Sequence, residues 1–363
     1  MARQDFVNHR EHALQDLHSD STLHAMRPNH VAATPLMIMA SNQCSYGISE
    51  YLSVGMVPFL TVGLTLTTIS IYVYTRPAQL KTTIGFLLAC LSVSEWLFLL
   101  TALDCFSISR IPLITCSRVP GEYSLFKAYS DVYVYPFVHI TKYMCVCISI
   151  IISIQQWISV FVPFKVKELC SMSRTKLMIF LSAVISLVLA IPKFLEKEVN
   201  YYTGRTRDNK YWKNSTLFDG IEYFNNSFFN AFTIFFVIFV INISMICLLK
   251  WSQHERMRMT NQSPKDRRTY IMLLAVLFSY VITHFPSMMI EYFDDVLKAS
   301  LPLEIADVRK ELSNFFTCCH PILSFADYMI FSANYRKTVK SLLVCNRKKE
   351  PRAVIGSKKT PLL

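Results

Sequence analysis

A chain of 363 residues that is 52% apolar and only 17% charged is too apolar for an ordinary soluble domain. Eight glycines and 26 phenylalanines exclude a disordered or glycine-periodic chain. The net charge of +12 would suit a nucleic-acid binder, but the placement of the basic residues assigns most of it to membrane topology, and no nucleic-acid partner is expected.

In chain order, residues 1–50 read as a polar, solvated tail. The opening MARQDFVNHREH lacks the apolar run of a cleavable leader, so the first span is expected to direct export. His9, His12, His18, His24 and His30 match no metal-ligand spacing, and neither a metal nor another cofactor is expected. Seven charge-poor intervals follow in residues 51–334. They run from Glu50 to Arg76, Lys81 to Asp104, Asp131 to Lys165, Lys176 to Lys193, Glu222 to Lys250, Arg268 to Glu291 and Glu311 to Arg336. Only Glu95, Lys142 and Asp327 interrupt them. A helix needs roughly 20 residues to cross a hydrocarbon core of about 30 Å. Six intervals reach that length. The fourth, Leu177 to Pro192, is short and needs Lys176 and Lys193 as snorkelling ends. Residues 335–363 read as a short amphipathic helix and a basic tail. The expected fold is all-α: a seven-transmembrane-helix bundle with a short amphipathic cytoplasmic eighth helix.

With the N-terminus outside, 21 of the 37 lysines and arginines fall on the cytoplasmic side, as the positive-inside rule requires. The sequons at Asn214 and Asn225 fall in or beside the external loop between the fourth and fifth spans and are candidate glycosylation sites. Of eleven cysteines, Cys44, Cys105 and Cys116 are external, and the simplest bridge joins Cys105 to Cys116. Cys345, just beyond the amphipathic run, is a candidate for palmitoylation.

Short motifs give the chain a family resemblance. Thr75-Arg76-Pro77, Pro192-Lys193-Phe194-Leu195-Glu196, Arg267-Arg268-Thr269 with Phe285-Pro286, and Ser324-Phe325-Ala326-Asp327-Tyr328 followed by Asn334-Tyr335-Arg336-Lys337 stand in order along the row. Together they resemble the rhodopsin-like G-protein-coupled receptors, and within them the FMRFamide-receptor type of invertebrate peptide receptors and related nematode serpentine receptors. The resemblance implies an extracellular ligand and, on the cytoplasmic side, a heterotrimeric G protein and arrestin. It also implies a coupling region at Gln155, Gln156, Trp157, Pro163, Arg267 and Arg268, and a helix kink at Pro286. The chain departs from the family where the third helix ends. Gln155-Gln156-Trp157 stands in place of acid-Arg-Tyr, and a neutral amide cannot form the charge-assisted pair that arginine makes. His284 replaces a tryptophan, Glu95 an aspartate, and Thr67 and Ser324 asparagines.

An ionisable group inside the membrane costs about 2.5–3.5 kcal/mol on insertion scales and therefore normally has a partner. Glu95 and Lys142 lie at similar depth in adjacent spans, which makes a Glu95–Lys142 pair an expectation. Glu95, Ser324, Asp327 and Tyr328 are read as an intramembrane polar network. His139, Lys142, His284, Glu291 and His320 are the candidate ligand-binding residues. Glu291, Asp294, Asp295, Glu304, Asp307 and Glu311 would form an acidic rim that attracts a cationic peptide.

No nucleophile elbow, zinc-binding helix or phosphate loop is present, so the chain is not read as an enzyme. The leading expectation is a plasma-membrane neuropeptide receptor. The alternatives are a chemosensory receptor for a small molecule and a non-signalling decoy or trafficking protein, the latter prompted by Gln156. An odd span count and scarce glycine argue against a transporter.

Overall fold

The computed structural model describes residues 48–110, 121–201, 205–209, 236–244, 264–297 and 303–343, with a few isolated positions between 215 and 247. The helices are α1 (Ile48–Tyr74), α2 (Thr83–Phe106), α3 (Tyr135–Phe161), α4 (Met172–Leu195), α5 (helical at 236–244), α6 (Pro264–Leu297), α7 (Leu303–Phe331) and α8 (Ala333–Leu343). A helix at Gly121–Tyr129 and a π-turn at Ser130–Val134 run into α3. The only described strands, β1 (Lys197–Asn200) and β2 (Arg205–Asp208), pair antiparallel just after α4. Neighbours pack in the order α1–α2–α3–α4, while α7 packs on both α6 and α1 and so closes that side of the bundle.

Five described helical stretches are long and apolar enough to cross a membrane: Tyr51–Tyr74, Thr83–Phe106, Leu125–Ser159, Met172–Leu195 and Ile271–Ile290. The fourth span is longer than its charge-free interval. Helix α4 has 24 residues, about 36 Å at 1.5 Å per residue, because Arg174 and Lys176 sit in its exposed first turns rather than before them. At its other end Lys193 Nζ lies 2.8 Å from Glu196 Oε2, and the Phe194 ring meets Phe137 of α3 edge-on at 5.6 Å. These contacts explain the residue types of the Pro-Lys-Phe-x-Glu motif.

The same helix shows which solvent the fold expects. Its buried face is Thr175, Ser182, Ser186 and Ala190, whereas Phe180 (64% exposed), Leu187 (52%) and Val188 point outward. Water would favour the reverse arrangement. Lipid offers no penalty to the outward side chains, and small residues let α4 approach α3 closely. The two serines satisfy their hydroxyls within the helix, Ser182 to Met178 O at 2.8 Å and Ser186 to Ser182 O at 2.7 Å.

At the α8 end, Tyr74 of α1, Tyr328 of α7 and Tyr335 of α8 form a buried triangle with ring centroids 5.1–5.5 Å apart. Tyr335 Oη also shares a 2.7 Å hydrogen bond with Ser70 Oγ. Burial pushes the Tyr335 phenol up from its ordinary value, so it stays neutral through the physiological range. Arg336 Nη1 donates to Met329 O and Ile330 O, which would otherwise be orphan carbonyls at the end of α7.

Candidate functional site

Half-way through the bundle, two helices meet on one acidic side chain. Glu95 of α2 is 1% exposed; its Oε1 accepts a hydrogen bond from Ser324 Oγ at 3.2 Å and lies 3.1 Å from His320 Nδ1. Residues 320 and 324 are one helical turn apart on α7, so both reach the same carboxylate, with Ser324 Oγ and His320 Nδ1 3.3 Å from each other. The expected Glu95–Lys142 pair is therefore not formed. Counting residues from the helix ends gave equal depth, but depth does not fix direction around the helix axis. Lys142 on α3 is half-buried, and Glu95 turns toward α7 instead.

From His320 the contacts continue into α6. The Tyr280 ring lies 4.0 Å from His284 and 5.1 Å from His320, and the two histidine rings are 5.6 Å apart. His284 and His320 thus sit next to one another, and His320 belongs to the buried acidic junction as much as to any outer pocket. Nearer the α8 end, Asp327 Oδ2 accepts from Ser279 Oγ of α6 at 2.7 Å. Asp327 therefore tethers α7 to α6, rather than bonding to Glu95. Toward the opposite end, Ser287 of α6 shares hydrogen bonds with Ser313 at 2.6 Å and Thr317 at 3.0 Å. The α6–α7 interface is thus held by hydroxyls on either side of the histidines. Pro286, inside α6, cannot donate to Ile282 O, which leaves the helix weakest between these two tethers.

His139 stands apart from that pair. It packs on its own helix between Tyr135 (4.7 Å) and Tyr143 (6.0 Å), and its Nδ1 has no hydrogen-bond partner among the described residues. Lys197 of β1 lies over the Tyr135 ring at 5.6 Å, bringing a cation from the loop to this aromatic wall. Glu291 lies on α6, with its side chain outside the described residues. Glu311 does not lie on an exposed rim: it is 2% exposed, because α7 already begins at Leu303 and carries it two turns into the bundle.

At the α8 end, Gln155 Nε2 donates to Thr175 Oγ1 of α4 at 2.8 Å, whereas Gln156, 3% exposed, has neither amide atom hydrogen-bonded among the described residues. Trp157 stacks on Phe161 at 4.8 Å. Pro163 opens a 3-10 turn, and the next residue, Phe164, is 98% exposed. Arg267 and Arg268 lie in the first turns of α6, their side chains outside the described residues. Cys105 is buried, its Sγ 3.9 Å from Ser130 O, whose hydroxyl donates to Asp104 at 2.7 Å. Cys116, Asn214, Asn225 and Cys345 lie outside the described residues.

Sequence reasoning missed Tyr280, Ser279 and Phe164. Tyr280 stands four residues before His284, a spacing that puts both on one face of a helix and was the available signal.

Comparison with known proteins agrees with this architecture. A Drosophila melanogaster protein named FMRFamide receptor is 19% identical over 277 residues, covering 74% of this chain. The alignment spans about half (49%) of that relative's length. The profile of the 7 transmembrane receptor (rhodopsin family) matches residues 68–325, from within α1 to the residue after Ser324, more than two thirds of the chain. A lipid-adapted helical bundle, a buried polar junction between α2 and α7 and this match together place the chain in the rhodopsin family of seven-transmembrane receptors.

Proposed function

We infer that this protein is a neuropeptide receptor of the plasma membrane, activated by an FMRFamide-like peptide and signalling through a heterotrimeric G protein. The observation that carries the signalling reading is the buried junction of Glu95, His320 and Ser324, which touches α6 through Tyr280 and His284. A ligand bound among the outer helix halves, against His139, Lys142, His284, Glu291 and His320, shifts the population of α6 positions about Pro286. Movement of α6 at its α8 end breaks the Ser279–Asp327 tether and opens a cleft beside Gln156. The N-terminus is outside and α8 is cytoplasmic, in keeping with the excess of basic residues on that side. Phe164 and the first turns of α6 with Arg267 and Arg268 then face the G protein and arrestin. The peptide class rests on the relative named FMRFamide receptor and on the acidic residues Glu291, Asp294 and Asp295 at the outer end of α6.

A panel of amidated peptides, read by G-protein and arrestin recruitment in cells with measured surface expression, tests the proposal. A response to an Arg-Phe-amide peptide is expected, and silence across the panel with normal surface expression sinks the peptide reading. One observation favours a non-signalling membrane protein instead: Gln156, neutral and without a hydrogen-bond partner for its side-chain amide among the described residues, stands where the family carries its arginine.

A further inference from the structure

The helix and π-turn that lead into α3 carry an aromatic surface. Between residues 125 and 138 the exposed side chains are Phe126, Tyr129, Tyr133 and Phe137, and each is aromatic. Spacings of three, four and four put them on one helical face. Tyr129 and Tyr133 stack at 5.7 Å, and Tyr201, which follows β1 and is 67% exposed, meets Tyr129 edge-on at 6.3 Å. One turn along, Phe137 touches Phe194, beside the exposed Ile191 and Leu195 of α4. The aromatic face therefore continues the lipid-facing side of α4. A contiguous exposed patch of this kind marks an interaction surface.

Depth identifies the partner. The apolar stretch Leu125–Ser159 has 35 residues, about 52 Å at 1.5 Å per residue, longer than a hydrocarbon core of about 30 Å and than a bilayer of about 40–45 Å with its headgroups. Centred on the bilayer, it puts Phe137 about 8 Å from the midplane, Tyr133 about 14 Å and Tyr129 about 20 Å. The side chains change from hydrocarbon to phenol where the bilayer changes from acyl chain to headgroup. Tyrosine suits that boundary, because its ring is apolar and its hydroxyl polar. Charges flanking the cluster are met within the chain: Glu198 Oε1 accepts from Arg207 Nη2 at 2.6 Å, Glu196 Oε2 from Lys193 Nζ at 2.8 Å, and Lys197 lies over the Tyr135 ring. We propose that the β1–β2 hairpin rests in the phospholipid headgroup layer on its side of the membrane, with Tyr129, Tyr133 and Tyr201 as the lipid-binding surface. The loop from Phe194 to Glu222 contains no cysteine, so no disulfide fastens it. Lys197 on Tyr135 holds the hairpin to α3, and lipid at Tyr201 holds it from the other side, so the bilayer itself sets the hairpin's tilt.

Photo-crosslinking tests the proposal without any signalling readout. The full-length receptor, with p-benzoylphenylalanine in place of Tyr201 or of Phe137, is reconstituted in phosphatidylcholine nanodiscs and irradiated, and adducts are assigned by peptide mass spectrometry. Both positions are exposed, so the larger ring is accommodated without repacking the bundle. Phospholipid adducts are expected at 201 in a yield comparable to that at 137, the reference position within the hydrocarbon. Adducts at 137 alone, adducts at neither position, or crosslinks joining two receptor chains as the main product at 201 overturn the proposal.

Discussion

Replacing His320 by leucine removes the nitrogen that lies 3.1 Å from Glu95 Oε1 and leaves Ser324 Oγ as the remaining described donor to that carboxylate. Both side chains are almost fully buried, so water does not take over the lost contact. Removing one member of a buried ion pair costs about 3–5 kcal/mol, and losing a neutral hydrogen bond about 1–3 kcal/mol. At about 2–4 °C per kcal/mol for larger domains, the melting temperature should fall by roughly 10 °C. Replacing both partners, Glu95→Leu with His320→Leu, should recover most of that loss, because no buried polar group is left without its partner and Ser324 can turn to the carbonyl four residues back. Thermal unfolding of the purified receptor, followed by a thiol-reactive dye across the four-member cycle, measures the coupling. A double variant that loses as much as the sum of the two single variants would show that the pair does not interact, and the reasoning about the junction would be wrong.

Asp327→Ala releases the Ser279 tether and is expected to raise basal nucleotide exchange on the G protein several-fold, whereas Asp327→Asn, which still accepts the hydrogen bond, should stay near the unsubstituted level. Ser186→Leu puts a large side chain into the α3–α4 contact and should cut surface expression strongly; Leu187→Ile, on the lipid face one residue away, should leave it unchanged in flow cytometry. Phe164→Ala is expected to reduce agonist-evoked coupling without altering ligand affinity in radioligand binding. Tyr335→Phe loses the 2.7 Å bond to Ser70 and should cost about 1 kcal/mol, seen as faster amide exchange confined to α8.

The bundle was legible because charge is expensive in lipid: residues such as Arg76, Lys81 and Arg336 flank the ends of the long apolar helices. In α4 the same rule marked the charge-free interval and not the helix, which runs past the expected snorkelling ends Lys176 and Lys193. Arg174 and Lys176 lie within the helix, their long side chains free to reach the interface while the backbone continues. The site was legible in its ingredients and not in its pairing. Glu95, His320 and Ser324 were each singled out, yet Glu95 was matched to Lys142 by depth alone. Direction around a helix depends on packing, and the apolar surface on α2 gives little sequence bias: Phe98 is buried while neighbouring Leu97 and Leu100 are exposed. The tethers at Ser279 and Ser287 were invisible, since a serine bonded within its own helix and one that bridges two helices look alike in a sequence. Phe164 was hidden for the opposite reason, one phenylalanine among 26 whose isolation appears only in three dimensions.

The grip of Arg336 on the last carbonyls of α7 makes the corner between α7 and α8 stiff. With Tyr335 anchored to Ser70 at the same corner, a twist of α7 about its long axis has nowhere to dissipate. It must swing α8 with it, so whatever α8 rests against becomes a mechanical load on the receptor's resting state.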